Sequence, residues 1–117
     1  MAKILLAEDD DSMRQFLHRA LERAGHDVFS VGRGDAALPV LAEGRFDLLL
    51  ADIVMPEMDG IELARRAVAL NARLKVMFIT GFAAVALQNR AAAEAKVLSK
   101  PFHLRDLVDE VDRMLAA

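Results

Sequence analysis

Three acidic residues follow short apolar runs in this sequence, and their positions suggest phosphoryl chemistry. Ile4–Ala7 ends in Glu8-Asp9, and the run 48–51 ends in Asp52. Apolar runs without alternation are typical of strands that are buried on both faces, as in a parallel sheet. Open α/β sheets keep their sites at the carboxyl ends of such strands. If these two strands are neighbours, the carboxylates share one cleft, and we expect Asp52 to accept a phosphoryl group.

A divalent cation is the expected partner of these carboxylates. Like charges this close repel one another and raise each other's pKa unless a cation compensates them. All-oxygen ligation suits the hard ion Mg²⁺, which would keep several waters and bind a phosphate oxygen. Thr80 and Lys100 end two later runs, so a hydroxyl and an ammonium could meet the other phosphoryl oxygens. Phosphoryl transfer requires mainly this positioning and charge neutralisation, and a carboxylate can serve as its nucleophile.

The composition limits the classes of function that the chain can have. The 117 residues are 55% hydrophobic, with a net charge of −3 and no cysteine, which is enough for one domain with its own core. The absence of a basic run argues against binding to nucleic acid or to an anionic membrane. The absence of cysteine excludes disulfides and thiolate metal sites, and no apolar stretch approaches a membrane span. We therefore expect a cytoplasmic protein that forms one domain over residues 1–117, with no output domain.

Five β–α repeats are predicted to position the chemical residues. Each apolar run is followed by a helical pattern, and the predicted strands cover residues 4–7, 27–31, 47–52, 75–80 and 97–98. With right-handed crossovers, such repeats form one parallel sheet with helices on both faces. The expected fold is a doubly wound, flavodoxin-like α/β domain with a five-stranded sheet in the order 2-1-3-4-5.

Local signals predict where the helices begin and which faces they bury. Ser12 with Gln15 has capping-box spacing, as has Asp59 with Glu62, and Gly25 stands where a left-handed cap is favoured. The third helix is predicted to bury the stripe Ile61, Ala64, Ala67, Val68 and Leu70. The last helix is predicted to bury Leu104, Leu107, Val108, Val111, Met114 and Leu115.

Two other helical patterns are less regular. Pro39 falls inside Ala36–Glu43, where it removes a backbone donor and clashes with the preceding turn. We expect that helix to be short, kinked or shifted. Ala83–Ala93 is rich in alanine, so it is a strong helix former with little apolar bulk to show which face packs.

Taken together, these motifs resemble the receiver domain of response regulators over the whole chain. The matching positions, in order, are Glu8-Asp9, Asp52, Met55-Pro56, Asp59-Gly60, Thr80 and Lys100-Pro101. The resemblance implies that Asp52 is the phosphoacceptor and that Mg²⁺ is held by Glu8, Asp9, Asp52 and the backbone carbonyl of Val54. It also implies that Thr80 and Lys100 are switch residues and that the Lys100–Pro101 bond is cis. Such a chain is not an enzyme, although it assists its own phosphorylation and dephosphorylation.

Longer segments resemble the single-domain CpdR-type regulators of alphaproteobacteria. These segments are LLLADIVMPEMDGIELARRA, VMFITGFAAVAL and AKVLSKP. The resemblance implies that a histidine kinase or histidine phosphotransferase is the phosphodonor. It further implies that the unphosphorylated form is an adaptor, which primes the unfoldase ClpX of the ClpXP protease to degrade cell-cycle substrates. One departure is Val97, where many receivers carry an aromatic residue; we therefore expect phosphorylation to act mainly through Thr80 and the Gly81-Phe82 loop.

Other functions remain open at this stage. The chain could be a stand-alone phosphorelay intermediate or a motility-type receiver that acts on another partner. A phosphatase on the same sheet topology would need a second acid or base near Asp52, and Val54 stands two residues on. A flavin carrier would need a small, polar phosphate loop where Glu8–Asp11 stands. A scaffold independent of phosphorylation is disfavoured because all the chemical positions are filled.

Overall fold

The uninterrupted apolar runs form the strands of one parallel sheet. The computed structural model describes residues 2–80, 96–100 and 103–116. Five strands lie in the order β2-β1-β3-β4-β5, and every neighbouring pair is parallel. Their bounds are β1 Lys3–Ala7, β2 Asp27–Val31, β3 Leu48–Asp52, β4 Lys75–Thr80 and β5 Lys96–Ser99. The predicted fold and strand order are confirmed.

Helices cover both faces of the sheet in the described part of the chain. They are α1 Asp11–Arg23, α2 Gly34–Glu43, α3 Gly60–Leu70 and α4 Leu104–Ala116. Successive strand residues point to opposite faces, so Leu49 packs in the core under α2 and α3, whereas Leu48 and Leu50 pack under α1 and α4. The pattern predicted for Ala83–Ala93 lies outside the described residues. None of the described helices has the length and apolar character that crossing a membrane requires.

The start of α1 differs from the prediction. The helix begins at Asp11, and Asp10 is its N-cap, with a side-chain oxygen that accepts the Met13 N–H at 2.9 Å. The predicted cap, Ser12, is wrong because aspartate caps a helix as well as serine does. The helix buries Leu17, Ala20 and Leu21, and these residues share one face whether the helix begins at Asp11 or at Ser12. The Asp59 cap of α3 is confirmed, since Asp59 accepts the Glu62 N–H at 2.8 Å.

The end of α1 is closed as the glycine predicts. Gly25 has a φ of 98°, which only glycine adopts without strain. The Gly25 N–H donates to the Glu22 carbonyl at 3.0 Å, and the His26 N–H donates to the Leu21 carbonyl at 3.2 Å. This pair of bonds is the Schellman arrangement, which satisfies carbonyls that the helix end leaves open.

The start of α2 and the buried faces of α3 and α4 differ in part from the predictions. Helix α2 has ten residues, contains the exposed Pro39, and begins at Gly34, two residues before the predicted start. On α3, Ile61, Ala64 and Ala67 are buried as predicted, together with Leu63. Val68 and Leu70 are instead 40% and 54% exposed, and both lie in the last turn of the helix. On α4, Leu107 and Val111 are fully buried, and the other predicted positions are half-buried.

Candidate functional site

The carboxyl ends of β1 and β3 bring three carboxylates together. Ala7 of β1 pairs with Ala51 of β3, so the next residues, Glu8 and Asp52, stand side by side. One oxygen each from Glu8, Asp9 and Asp52 lies within 4.8 Å of the others. Glu8 and Asp52 are buried and Asp9 is exposed. We refer to these three residues as the acidic cluster.

The end of β5 places Lys100 beside the acidic cluster, and Thr80 ends the neighbouring strand β4. Lys100 Nζ lies 2.9 Å from Asp52 Oδ2 and 3.2 Å from Glu8 Oε1, with the lysine side chain 27% exposed. The Lys100 N–H donates to the Thr80 carbonyl at 2.8 Å, and Thr80 is fully buried. A single ammonium therefore faces two carboxylates, and its backbone is tied to the neighbouring strand.

The loop after β3 holds Asp52 from the other side. The Val54 N–H donates to Asp52 Oδ1 at 3.2 Å. The Gly60 N–H donates to the Ile53 carbonyl at 2.9 Å, which brings the start of α3 onto the strand end. A Cβ on Gly60 would overlap the Asp52 carbonyl oxygen, so this approach requires glycine. A ligand role for the Val54 carbonyl stays a prediction.

Burial and neighbouring charges shift the pKa values of Glu8 and Lys100. The pKa of Glu8 is raised to about 7, mainly by burial and also by the charge of Asp52, although the Asp10 N–H and Lys100 partly oppose the rise. Burial lowers the pKa of Lys100, but its hydrogen bond to Asp52 and the charges of both carboxylates outweigh burial, so this pKa is raised overall. Lys100 thus stays charged while the cluster keeps an excess of negative charge. A cation bound there would favour ionised Glu8.

The donor set of the acidic cluster fits a hard divalent cation. Its three side chains offer only carboxylate oxygens, and Mg²⁺ prefers such oxygens together with several waters. One ammonium cannot neutralise three carboxylates, so the excess negative charge favours a cation of this kind. Mg²⁺ is therefore compatible with the residues that the structure brings together.

Comparison with known proteins identifies the family. A family model described as "Response regulator receiver domain" matches residues 4–112. The chain belongs to the response regulator receiver domain family. Receiver domains are the signalling domains of two-component systems, and they bind Mg²⁺ at an acidic pocket. The predicted family is confirmed.

Relatives that match the whole chain include a small regulator and part of a kinase. The chain is 62% identical over 119 residues to "Response regulator receiver protein CpdR" of Brucella abortus (strain 2308), covering 100% of this chain and 99% of that protein. It is 38% identical to "Sensor kinase CckA" of the same strain, covering 97% of this chain and 12% of the kinase. The predicted similarity to CpdR-type regulators is confirmed.

Solved structures agree with this receiver assignment. The receiver domain of the hybrid histidine kinase CckA matches with a TM-score of 0.83 and 31% identity, covering 97% of this chain and 98% of that one. The response regulator TrrA of Thermotoga maritima, in complex with Mg²⁺–BeF, matches with a TM-score of 0.89 over 97% and 99% of the two chains. At 24% identity, TrrA supports the fold alone.

Two further residues near the site are Val97, which the sequence analysis singled out, and Arg14, which it did not. Val97, which replaces the aromatic residue of many receivers, is half-buried against the core under α2 and α3. The Gly81-Phe82 loop and Pro101 lie outside the described residues, so the cis Lys100–Pro101 bond stays a prediction. The sequence does not predict the role of Arg14, whose Nη1 donates to the Glu8 carbonyl at 2.9 Å. A positive charge in the first turn of α1 is disfavoured by the helix dipole, so Arg14 stands out there, but no local pattern indicates its partner.

Proposed function

We propose that this receiver domain is a phosphorylation-switched signalling protein in which Asp52 accepts a phosphoryl group. The observation that carries the proposal is the 2.9 Å contact between Lys100 Nζ and Asp52 Oδ2 inside the acidic cluster. A charged donor at this distance can neutralise a phosphoryl oxygen as readily as it neutralises the carboxylate. The phosphodonor is a histidine kinase or a histidine phosphotransferase, and the chain works in the cytoplasm, where such donors present their phosphohistidine.

The transfer requires little covalent chemistry from the protein. A carboxylate oxygen of Asp52 forms the new O–P bond while the N–P bond of the phosphohistidine breaks, and the electron pair of that bond goes to the imidazole nitrogen, which takes a proton. The Lys100 ammonium neutralises charge on the phosphoryl oxygens, and the Thr80 hydroxyl meets another of them. Glu8, Asp9, Asp52 and the carbonyl of Val54 would hold Mg²⁺, which would supply further neutralisation of the phosphoryl charge.

Labelling with a small phosphodonor tests this assignment. The wild-type chain, incubated with acetyl phosphate and Mg²⁺, should gain the mass of one phosphoryl group in intact-mass spectrometry, and chelation of Mg²⁺ should prevent the gain. Asp52→Asn should gain none. Asp47→Asn is the matched control, because Asp47 is an exposed carboxylate directly before the same strand. Labelling of Asp52→Asn at the wild-type level would refute the site.

We further propose that the output is protein interaction, as in CpdR-type adaptors for the ClpX unfoldase of ClpXP. The similarity to CpdR over the full length of both chains supports this proposal. An acyl phosphate adds about one to two negative charges at the cluster. That charge draws Lys100 and Thr80 toward it and changes the neighbouring surface.

A pull-down with ClpX tests the output separately from the chemistry. Without phosphodonor, wild type and Asp52→Asn should both be retained by immobilised ClpX. With acetyl phosphate and Mg²⁺, wild type should be released while Asp52→Asn stays bound. Equal retention under all conditions would refute the switch. Normal labelling without any retention by ClpX would instead favour a phosphorelay intermediate or a motility-type receiver.

A further inference from the structure

Arg14 lies beside the acidic cluster without belonging to it. Its Nη1 donates to the Glu8 carbonyl at 2.9 Å, and its Nη2 donates to Asp11 Oδ1 at 2.6 Å. The arginine side chain is only 20% exposed, whereas that of Asp11 is 82% exposed. The guanidinium therefore joins the end of β1 to the first turn of α1, and it does so largely out of water.

The backbone of Glu8 needs such a partner. The pairing of β1 with β2 and with β3 ends at Ala7. The Glu8 N–H still donates to the Val31 carbonyl at 3.1 Å, but the Glu8 carbonyl lies beyond the registered pairs. In the described part of the chain, the side chain of Arg14 supplies its donor. Rotation of this peptide would swing the Glu8 carboxylate and the following Asp9, so the contact bears directly on the cluster.

Gly32, in the turn between β2 and α2, leaves the space that the guanidinium occupies. A Cβ on Gly32 would stand 3.0 Å from Arg14 Nη1, the same atom that donates to Glu8. Gly32 is not among the residues with positive φ, so its backbone conformation is open to alanine. An alanine here would thus press on the guanidinium without straining its own backbone.

Charge and geometry make opposite predictions for Arg14. A positive charge near the cluster repels a cation, so by charge alone its loss would tighten Mg²⁺ binding. We propose that Arg14 is instead a positioning residue, which fixes the Glu8 peptide so that the Glu8 and Asp9 carboxylates are held ready for the cation, in a space kept open by Gly32. The inference rests on the proposed function in one respect, namely that the cluster binds Mg²⁺.

Mg²⁺ titration by calorimetry separates the effect of the Arg14 charge from its effect on the position of Glu8. Calorimetry is suitable because the chain has no Trp or Tyr whose fluorescence could report binding. Arg14→Ala should weaken Mg²⁺ binding about tenfold, in the range typical of residues that orient metal ligands. Arg14→Lys keeps the charge but loses the forked donor, and Gly32→Ala keeps the arginine but displaces it; both should also weaken binding. Arg66→Ala is the matched control, because Arg66 pairs with Glu62 on the exposed side of α3, and it should bind as wild type does.

A double variant tests whether Gly32 acts through Arg14. Arg14→Ala combined with Gly32→Ala should bind Mg²⁺ no more weakly than Arg14→Ala alone, because the second change then has nothing left to displace. Thermal unfolding without Mg²⁺ shows which variants fold. If Arg14→Ala does not fold, weaker Mg²⁺ binding by Gly32→Ala tests the inference instead. Mg²⁺ binding by Arg14→Ala as tight as, or tighter than, that of wild type would overturn the inference alone. No Mg²⁺ binding by the wild-type chain would overturn the proposed metal site as well.

Discussion

Lys100 balances two carboxylates with a single positive charge. Its ammonium lies 2.9 Å from Asp52 and 3.2 Å from Glu8, and both carboxylates are buried. The charges of these partners raise the pKa of the lysine even though burial opposes its charge. Without the ammonium, two buried carboxylates would face each other with only backbone N–H donors from Asp10 and Val54, which is a costly arrangement.

Removing this charge should therefore destabilise the chain. Lys100→Met is expected to lower the free energy of unfolding by about 1–3 kcal/mol without Mg²⁺, a figure reduced for the partial exposure of the lysine. Added Mg²⁺ should restore part of the loss, because binding to the folded state stabilises it. Lys96→Met is the control, since Lys96 pairs with Glu110 at 3.5 Å and is half exposed; it should change stability by under about 0.5 kcal/mol. Equal losses in urea unfolding would contradict the expectation.

The first turn of α1 connects a helix cap to the site. Asp10 accepts the Met13 N–H at 2.9 Å, while its own N–H donates to Glu8 Oε2 at 3.2 Å. One residue thus begins the helix and holds the carboxylate that precedes it. This double role explains why the helix begins where it does, directly after the acidic cluster.

The cap can be tested against the one that the sequence favours. Asp10→Ala should cost about 1 kcal/mol of unfolding free energy, as is usual when an N-cap side chain is lost. Ser12→Ala should cost less than about 0.5 kcal/mol, because Ser12 is an exposed residue within the first turn. Chemical denaturation of the two variants provides the measurement. A larger loss for Ser12→Ala than for Asp10→Ala would mean that the helix begins at the later position in solution.

Features that follow from the strand pattern could be predicted from the sequence, whereas features that depend on tertiary packing or on a choice between equivalent residues could not. The convergence of Glu8 and Asp52 follows from the sequence, because a buried parallel strand has one carboxyl end and neighbouring strands share that edge. The choice between Asp10 and Ser12 as the cap does not follow, since aspartate and serine can both accept an N–H and both starts leave Leu17, Ala20 and Leu21 on one face. The contact of Arg14 with Glu8 depends on packing against the β2–α2 turn, which no local pattern encodes.

Gly60 makes the closest approach to a neighbouring backbone among the glycines of the described residues. The first residue of α3 stands so close to the end of β3 that a Cβ would overlap the Asp52 carbonyl oxygen. The helix, the loop that contains Val54 and the carboxyl end of the strand therefore form one packed unit. A change in any of these parts displaces the residue at the centre of the site.

A methyl group at this point should affect both stability and chemistry. Gly60→Ala should lower the free energy of unfolding by about 2–3 kcal/mol, in the range typical of overpacking, and should reduce labelling of Asp52 by acetyl phosphate. Gly25→Ala should cost about 1 kcal/mol because of its positive φ. Labelling should persist in that control, since Gly25 directly precedes β2 and therefore lies at the amino ends of the strands, away from the site. Loss of labelling in both variants would attribute the effect to general instability.

The contact between Lys100 and Glu8 joins residues that are 92 positions apart. Such distant pairings form late, because the chain between them must be ordered first. A chain still leaving the ribosome, with β1–β4 made and β5 not yet paired, carries the acids without their lysine. Under the proposed function, competence to receive a phosphoryl group would therefore be among the last properties gained during synthesis.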